Sequence, residues 1–392
     1  MGKKITIIIF LMFIYGFFGF SALKEDKAYS ELENRTLEDR PVLTAEGFFN
    51  GTYTKNYENY IQDQFPLRDK FVSFKNYAEL ALGKREVKGI FICEDGYLIE
   101  NHRRADYESE RAVKNAQAIV NAGNRWADKL GSSHVSVIIA PTAQTILKDK
   151  LPKYANPYNQ SEYTAAIQSG LNEDVYVDIE KTLTENKEEY VYYKTDHHWT
   201  TKGAYLAYRS WCESKGLTPY DKSELSIEEA SDDFYGTIHS KLNIKTSPDV
   251  IEIYSVKDYN VKAVYNMGAS VTDSLIDKSF LEGKDKYSIF MGGNQGIVEI
   301  TEADNETVSD KVQQGNVNED GEESVLLMIK DSYANCFVPM TVGMYDRIYV
   351  IDLRYFNMNV DTFMDMYGVT DVLVLYNADT LTDDVYVSRL GY

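Results

Sequence analysis

Aspartate, histidine and serine are the side chains that can form a serine nucleophile, and the 392-residue chain offers one pattern of this kind. Asp196 and His198 lie two residues apart, so their side chains can point to the same side of an extended segment. The carboxylate would then accept a hydrogen bond from one imidazole nitrogen and leave the other nitrogen as a base. A serine hydroxyl needs such a base, because it is a weak nucleophile while it keeps its proton.

The candidate nucleophile is Ser332, which follows the apolar residues 325–329 closely. That apolar run predicts a buried strand, and residues 333–344 are predicted to form a helix. Ser332 would then lie at the carboxyl edge of a sheet, where α/β proteins place their sites. Free N–H groups at the start of the helix could hold an oxyanion. The alternative is that Ser332 is only a helix N-cap.

The histidine pair formed by His197 and His198 also suggests a metal site or a packed histidine beside a helix-capping aspartate. The remaining histidines are His102, His134 and His239, and their spacing is not that of metal ligands. The three cysteines show no CxxC spacing. We therefore expect no metal and no other cofactor at this site.

The segments that must position these residues predict an α/β fold with a parallel sheet and functional loops at the carboxyl ends of its strands. A helix over residues 202–214, with Thr201 as its cap, follows the histidine pair. Residues 220–320 are less regular, and we interpret them as an insertion with β character. The apolar segments that predict buried strands are residues 135–140, 325–329, 347–351 and 371–376.

The N-terminus predicts a membrane anchor over residues 1–23. Lys3 and Lys4 precede an uncharged apolar run over residues 5–23, long enough to span a bilayer. Lysines before the run, with Glu25 and Asp26 after it, predict that the body of the protein lies outside the cytoplasm. Since no clean cleavage pattern follows, an anchor is favoured, and a cleaved signal with a secreted protein is the alternative. Residues 24–60 form a lead-in or stalk, and residues 61–392 the remaining domain.

Composition restricts the partners of the chain. A formal net charge of -20 argues against nucleic acid and against an anionic membrane surface, because both repel such a chain. The 31 tyrosines suit stacking on sugars, although tyrosine also fills cores and strands.

Residues 193–204, Tyr-Lys-Thr-Asp-His-His-Trp-Thr-Thr-Lys-Gly-Ala, resemble the signature of the DHHW family, which is similar to the SGNH-hydrolase-like alginate O-acetyltransferases of the AlgX/AlgJ type. Further segments fit the same pattern: residues 33–35, 63–68, 95–98, 292–294 and 330–332. The resemblance implies a three-layer α/β/α, flavodoxin-like domain with a permuted motif order, since Asp196 and His198 precede Ser332. It implies Ser332 as nucleophile, His198 as base and Asp196 as the group that orients the base.

The chain departs from the SGNH pattern at two points. The spacing is Asp-x-His instead of Asp-x-x-His, which agrees with the acetyltransferase branch. Lys330 stands where SGNH enzymes have glycine, which leaves the geometry of the turn at Ser332 open. The roles of four further residues are also open. Asn377 and Asn294 are rival oxyanion donors, each with a cap or turn role as the alternative. Arg354 could bind a carbonyl or an anionic sugar, or form a surface ion pair. His197 is a substrate contact or a bystander.

The resemblance implies an anchored, extracytoplasmic O-acetyltransferase that acts on a cell-surface or secreted polysaccharide through an acyl-enzyme. A membrane-bound O-acyltransferase partner would deliver the acetyl group. One alternative is a carbohydrate esterase with the same three residues. The other is a non-catalytic glycan-binding scaffold in a polysaccharide-modification complex.

Overall fold

The computed structural model describes residues 2–30, 35–303 and 323–391. Glu33 and Asn34, which belong to one of the matching segments, lie outside these ranges. The chain forms two compact units, one of Met1–Lys88 with His239–Thr246 and one of Gly89–Ile238 with Ser247–Tyr392. The division into anchor, lead-in and one domain with an insertion stays a prediction.

The first unit begins with the helix predicted as a membrane anchor, α1 (Gly2–Leu23), whose described side chains are mostly exposed and apolar. Buried Gln64 fixes the following segment, because its amide bonds to both the N–H and the carbonyl of Lys27, each at 2.9 Å. The other elements are β1 (Tyr29–Ser30), β2 (Arg35–Thr36), α2 (Ala45–Phe49), α3 (Thr52–Gln64), α4 (Arg68–Ala81) and β3 (Glu86–Val87).

The second unit alternates strands and helices. Its first half contains β4 (Ile90–Ile92), β5 (Leu98–Glu100), α5 (Arg104–Tyr107), α6 (Glu110–Leu130), β6 (Val135–Ala140), α7 (Ala143–Ile146), α8 (Gln160–Gly170), α9 (Glu180–Glu185), α10 (Thr201–Lys215) and β7 (Leu225–Phe234). The helix α11 (Thr237–Leu242) follows, and its residues from His239 onward belong to the first unit. The second half contains β8 (Asp249–Val256), β9 (Val261–Tyr265), β10 (Ser270–Thr272), β11 (Ile297–Glu302), β12 (Val325–Lys330), β13 (Arg347–Ile351), α12 (Val360–Met366), β14 (Asp371–Asn377) and α13 (Ala378–Asp383).

The central sheet is mixed, in the order β10-β9-β11-β13-β12-β14-β6. The strands β13, β12, β14 and β6 are parallel, as predicted. The strands β11, β9 and β10 extend this sheet by antiparallel pairing, and they come from the region 220–320 that is interpreted as an insertion with β character. The physical reason lies in the connections, since β9 and β10 are joined by a tight turn that allows only antiparallel pairing.

Alternate residues of the central strands enter two separate apolar cores, one on each face of the sheet. In β12, Leu326 and Met328 belong to the core that contains α10, while Leu327 and Ile329 belong to the core that contains α6. The predicted three-layer α/β/α arrangement is therefore confirmed.

The chain after β12 forms two short 3-10 turns, Ser332–Cys336 and Val338–Met340, instead of the predicted helix over residues 333–344. Pro339 explains the difference, because it has no N–H for a helical hydrogen bond and its ring clashes with the preceding turn. The segment is nevertheless buried, so packing holds it in place.

Candidate active site

A buried carboxylate, that of Asp249 at the start of β8, holds the segment that contains the histidine pair. Asp249 accepts hydrogen bonds from the backbone N–H groups of Lys194 and Thr195, both at 2.7 Å, and from the hydroxyls of Thr195 and Tyr190, both at 2.5 Å. Burial raises the pKa of Asp249, against these hydrogen bonds that lower it. Thr200 then caps α10 one residue earlier than predicted, by accepting from the N–H of Gly203 at 3.2 Å.

The structure brings Asp196, His198 and Ser332 together. The Nδ1 atom of His198 lies 2.6 Å from Oδ1 of Asp196, and its Nε2 atom lies 2.8 Å from Oγ of Ser332. The ionised carboxylate can only accept, so Nδ1 carries the proton and Nε2 accepts from the serine hydroxyl. This is the orientation in which an imidazole can take the serine proton.

The electrostatics of the pair favour a neutral imidazole beside a charged carboxylate. Burial, with a contribution from His197, lowers the pKa of His198 to about 4, although Asp196 acts to raise it. Burial acts to raise the pKa of Asp196, but the two imidazoles and the hydrogen bonds that it accepts outweigh burial and hold that pKa well below its usual range. At neutral pH the His198 imidazole is therefore unprotonated and can accept a proton.

The second oxygen of Asp196 is held by Thr237, which no sequence pattern singles out. Oδ2 accepts from the backbone N–H of Thr237 at 2.8 Å and from its hydroxyl at 3.1 Å. Gly236 passes so close that an added Cβ would lie 2.3 Å from Oδ2. No local signal points to these residues, since Thr237 comes 41 positions after Asp196 in the chain.

Two hydrogen bonds join the histidine segment to the turn Ser332–Cys336. The indole Nε1 of Trp199 donates to the carbonyl of Tyr333 at 2.9 Å, and the hydroxyl of Tyr333 donates to the carbonyl of His197. Tyr287 adds a third contact. Its ring stacks on the His198 imidazole with centroids 3.9 Å apart, and its hydroxyl donates to the carbonyl of Ser332 at 3.1 Å.

Asp331, and not Ser332, caps the turn Ser332–Cys336. Its carboxylate accepts from the N–H of Tyr333 at 2.9 Å and from the N–H of Asn377 at 2.8 Å. The Ser332 hydroxyl is therefore left for His198. The Ser332 N–H has no acceptor in the described part of the chain, so it can donate to an oxyanion.

The two candidate oxyanion asparagines lie in different environments. Asn377 is buried and caps α13, since Oδ1 accepts from Asp379 and Thr380 N–H groups, while Nδ2 donates to the carbonyl of Ala140 at 3.2 Å. Asn294 is exposed, and its Oδ1 accepts from Nζ of Lys330 at 3.3 Å. Its Nδ2 has no protein partner in the described ranges.

Lys330 occupies the glycine position of related motifs, and its side chain is only 2% exposed. Nζ donates to Oδ1 of Asn335 at 2.8 Å and lies 3.6 Å from Oδ2 of Asp352. Asp352 in turn binds Nε and Nη2 of Arg354 at 2.8 and 2.5 Å. Burial lowers the pKa of Lys330 to about 8, against the raising effect of Asp352. One ammonium therefore connects the loops that contain Asn294, Ser332 and Arg354.

His197 lies partly exposed beside the triad. Its Nδ1 is 2.8 Å from the Thr237 hydroxyl, and its ring centroid is 3.9 Å from that of His198. Asp196, His197 and His198 offer three ligand atoms within 4.8 Å of one another. Both nitrogens of His198 already form hydrogen bonds, so metal binding would have to break one of them.

Comparison with known proteins agrees with the SGNH-hydrolase-like fold. The model of the DHHW protein family matches residues 97–351. A DHHW family protein from Eubacterium siraeum is 25% identical with a TM-score of 0.59, over 78% of this chain and 95% of that one. Bacillus cereus PatB1 with a sulfonyl adduct shares the fold at 20% identity and a TM-score of 0.58, over 77% and 98% of the two chains. The O-acetyltransferase domain of Pseudomonas putida AlgJ is more distant, at 13% identity and a TM-score of 0.44, over 77% and 98%. No curated protein sequence matches the chain significantly.

Proposed function

The chain belongs to the DHHW protein family, and we propose that it is an O-acyltransferase that acetylates a cell-surface or secreted polysaccharide. The observation that carries the proposal is the continuous hydrogen-bond series Asp196–His198–Ser332, with steps of 2.6 and 2.8 Å. A serine paired with a neutral imidazole is built to form an acyl-enzyme.

In the first half of the reaction, Oγ of Ser332 attacks the carbonyl carbon of an acetyl ester, and its proton passes to Nε2 of His198. Asp196 stabilises the imidazolium that forms. The tetrahedral intermediate collapses, the bond to the donor oxygen breaks, and the donor leaves as an alcohol after taking the proton from His198. Ser332 then carries the acetyl group.

In the second half, a sugar hydroxyl attacks the acetyl carbon while Nε2 of His198 takes its proton. The bond to Oγ breaks, the serine recovers its proton from His198, and the acetylated sugar is released. Water in place of the sugar would give hydrolysis, so the carbohydrate esterase alternative uses the same residues. The two functions differ in which nucleophile reaches the acyl-enzyme.

Charge develops on the acetyl oxygen in both halves, and donors must be ready for it. The Ser332 N–H is one donor without a protein partner in the described ranges. Asn294 is the second, because Lys330 and Asn335 hold its Oδ1 at 3.3 Å and leave its Nδ2 available. Arg354 and His197 are proposed as contacts to substrate, and a membrane-bound O-acyltransferase as the source of acetyl groups outside the cytoplasm.

The proposal is tested with the purified full-length protein, 4-nitrophenyl acetate as donor and chito-oligosaccharides as acceptors. We expect acetylated oligosaccharide by mass spectrometry and faster nitrophenol release when acceptor is present. Ser332→Ala and His198→Ala should each lower turnover by about 1000-fold or more. Asp331→Asn alters the turn cap beside the proposed nucleophile. Its turnover measures how much of the activity depends on the shape of the turn.

Three outcomes separate the alternatives. Nitrophenol release that is indifferent to acceptor, without acetylated sugar, would make the protein an esterase. No turnover together with oligosaccharide binding would make it a scaffold. A phenylmethanesulfonyl fluoride adduct on Ser332 would support a reactive serine in both enzymatic cases, by analogy with the adduct on PatB1.

A further inference from the structure

Exposed apolar side chains are concentrated in the first unit. Among the described residues, twelve large apolar side chains are exposed between residues 24 and 88, and nine in the whole of the much longer second unit. Contiguous exposed apolar surface marks an interaction site. The densest part follows the end of α3, where Phe65, Leu67, Phe71 and Phe74 are 38, 53, 42 and 73% exposed.

Helix α4 has an exposed apolar face, while its buried residue, Asn76, is polar. Leu67, Phe71 and Phe74 follow an i, i+4, i+7 spacing, so they share one face, and that face is exposed. The polar residues bond to protein instead: Ser73 Oγ donates to the carbonyl of Asn243 at 2.8 Å and Asn76 Nδ2 to that of Leu242 at 2.5 Å. An outward apolar face suits an apolar surrounding.

The same face is continuous with the apolar helix α1. The ring of Phe17 stacks on Phe65 at 5.5 Å and meets Phe71 at 5.8 Å, and these two rings are 5.9 Å apart. Phe17 comes six residues before the last residue of α1, Leu23, about 9 Å along the axis at 1.5 Å per residue. If α1 spans a bilayer, side chains at that height lie in the interfacial layer, roughly 5–10 Å deep.

A cavity of about 700 Å³ beside these rings is lined by positively charged side chains, which suit the negatively charged phosphates of lipid headgroups. Phe20 of α1 lines it, with four basic side chains at Lys24, Lys27, Arg68 and Lys70. Of its two carboxylates, Asp63 is neutralised by Arg35, whose Nη2 lies 2.6 Å away. The chain as a whole, with a net charge of -20, should be repelled by anionic surfaces. The excess of basic side chains at this cavity can nevertheless attract anionic lipid headgroups locally.

We propose that the apolar face of α4, with the adjacent Phe65, lies in the lipid headgroup layer at the Leu23 end of α1 and makes this part of the first unit a second membrane contact. The basic cavity faces lipid phosphates. The proposal is independent of the acyltransfer chemistry, and it depends on α1 staying in the bilayer.

The test uses tryptophan quenching in the full-length protein, reconstituted without other proteins into phosphatidylcholine and phosphatidylglycerol vesicles. Trp126, Trp199 and Trp211 are at most 1% exposed, so brominated acyl chains should not reach them. In Phe74→Trp, brominated lipid should remove roughly half of the added emission, because the ring sits at interfacial depth. Val113→Trp, at a position 59% exposed on the second unit, is the matched control and should lose none.

Equal emission of Phe74→Trp in brominated and ordinary vesicles would overturn the proposal. The proposal also fails if Phe74→Trp is unquenched in vesicles but shielded in native membranes, since a partner protein would then cover the face. Quenching of Phe74→Trp together with Val113→Trp would show that the second unit also contacts the lipid, and would overturn the assignment to this face.

Discussion

Trp199 and Tyr333 are joined by a hydrogen bond from the indole Nε1 to the peptide carbonyl, 2.9 Å long and fully buried. Tyr333 follows the proposed nucleophile, and Trp199 follows the proposed base. The bond therefore fixes the distance between two segments that lie 134 residues apart in the chain. We interpret Trp199 as a positioning residue as well as a packing anchor for α10.

Trp199→Phe should keep the packing but lose this bond. We expect turnover to fall roughly tenfold, because small misplacements of reacting groups are costly, with a stability loss of about 1 kcal/mol. Trp211→Phe is the matched control, since it loses an equally buried bond to Ser136 Oγ of 2.9 Å on β6. Ester turnover and urea unfolding of both variants check the prediction, and equal activity losses would contradict it.

Gly236→Ala should disturb Asp196 directly, because the new Cβ would lie 2.2 Å from the aspartate Cβ and 2.3 Å from Oδ2. We expect turnover to fall by about 100-fold, because the Asp196 carboxylate would be displaced from His198. Gly283→Ala, where a Cβ would meet nothing closer than 3.7 Å, should behave as the unchanged protein. Rates and melting temperatures of the two variants, measured together, check the prediction. Unchanged turnover in Gly236→Ala would contradict the geometry.

The lowered pKa of His198 predicts that both the stability of the protein and its turnover fall at acidic pH. The unfolded chain binds a proton at this group near the ordinary pKa of 6.5, whereas the folded protein does so only near about 4. Between these values the unfolded state binds more protons, so the stability contribution is present above pH 6.5 and is lost as the pH falls towards 4. Urea unfolding at pH 7 and pH 5 measures this change in the free energy of unfolding. The change between the two pH values should be smaller in His198→Gln. Turnover should fall on the acid side with a midpoint near pH 4.

Lys330→Met should remove the ammonium that holds Asn294 and Asp352. We expect turnover to fall roughly tenfold to 100-fold, since one oxyanion donor loses its support. In the unchanged protein, activity should also decline above about pH 8 as Lys330 loses its proton, and the variant should lack this decline. Lys215→Met is the control, because burial lowers that pKa to about 8 as well, and its Nζ binds the carbonyls of Ser132, Val135 and Asp174.

Substitution of Asn294 should lower turnover, whereas substitution of Asn377 should lower stability. Asn294→Ala should lower turnover by about 100-fold with little change in stability, as for a lost oxyanion donor. Asn377→Ala should instead cost about 1–2 kcal/mol of stability, because it removes a helix cap and a buried bond to Ala140. The pair of unfolding curves and rates checks both. A normal rate in Asn294→Ala would leave Ser332 N–H as the donor to examine.

Sequence patterns predict the layered α/β fold because its strands are short apolar runs between amphipathic helices. They could not predict that β9, β10 and β11 join the same sheet, since this depends on the pairing of β11 with β13 from another part of the chain. The 3-10 turns after β12 differ from the predicted helix because Pro339 outweighs the apolar spacing around it.

The three proposed catalytic residues are recognisable by type and spacing, and the structure brings them together; their roles stay a prediction. Thr237, Tyr287 and Asp249 leave no signal of their own in the sequence, because each acts through a contact made across the fold. Lys330 stands out as a departure from glycine, but its link to Asn294 depends on tertiary structure.

The strand order β13-β12-β14-β6 has a consequence for how the protein is made. Ala140 of β6 pairs with Asn377 of β14, which comes 237 residues later in the chain. The strand β6 therefore cannot join this sheet before β14 has been made. Contacts this distant in the chain make folding slow. During synthesis, the sheet that positions Ser332 against His198 cannot be completed until β14 has been made. A chain that ends before β14 would lack the strand that joins β12 to β6, so we expect it not to hold Ser332 and His198 in the arrangement described above.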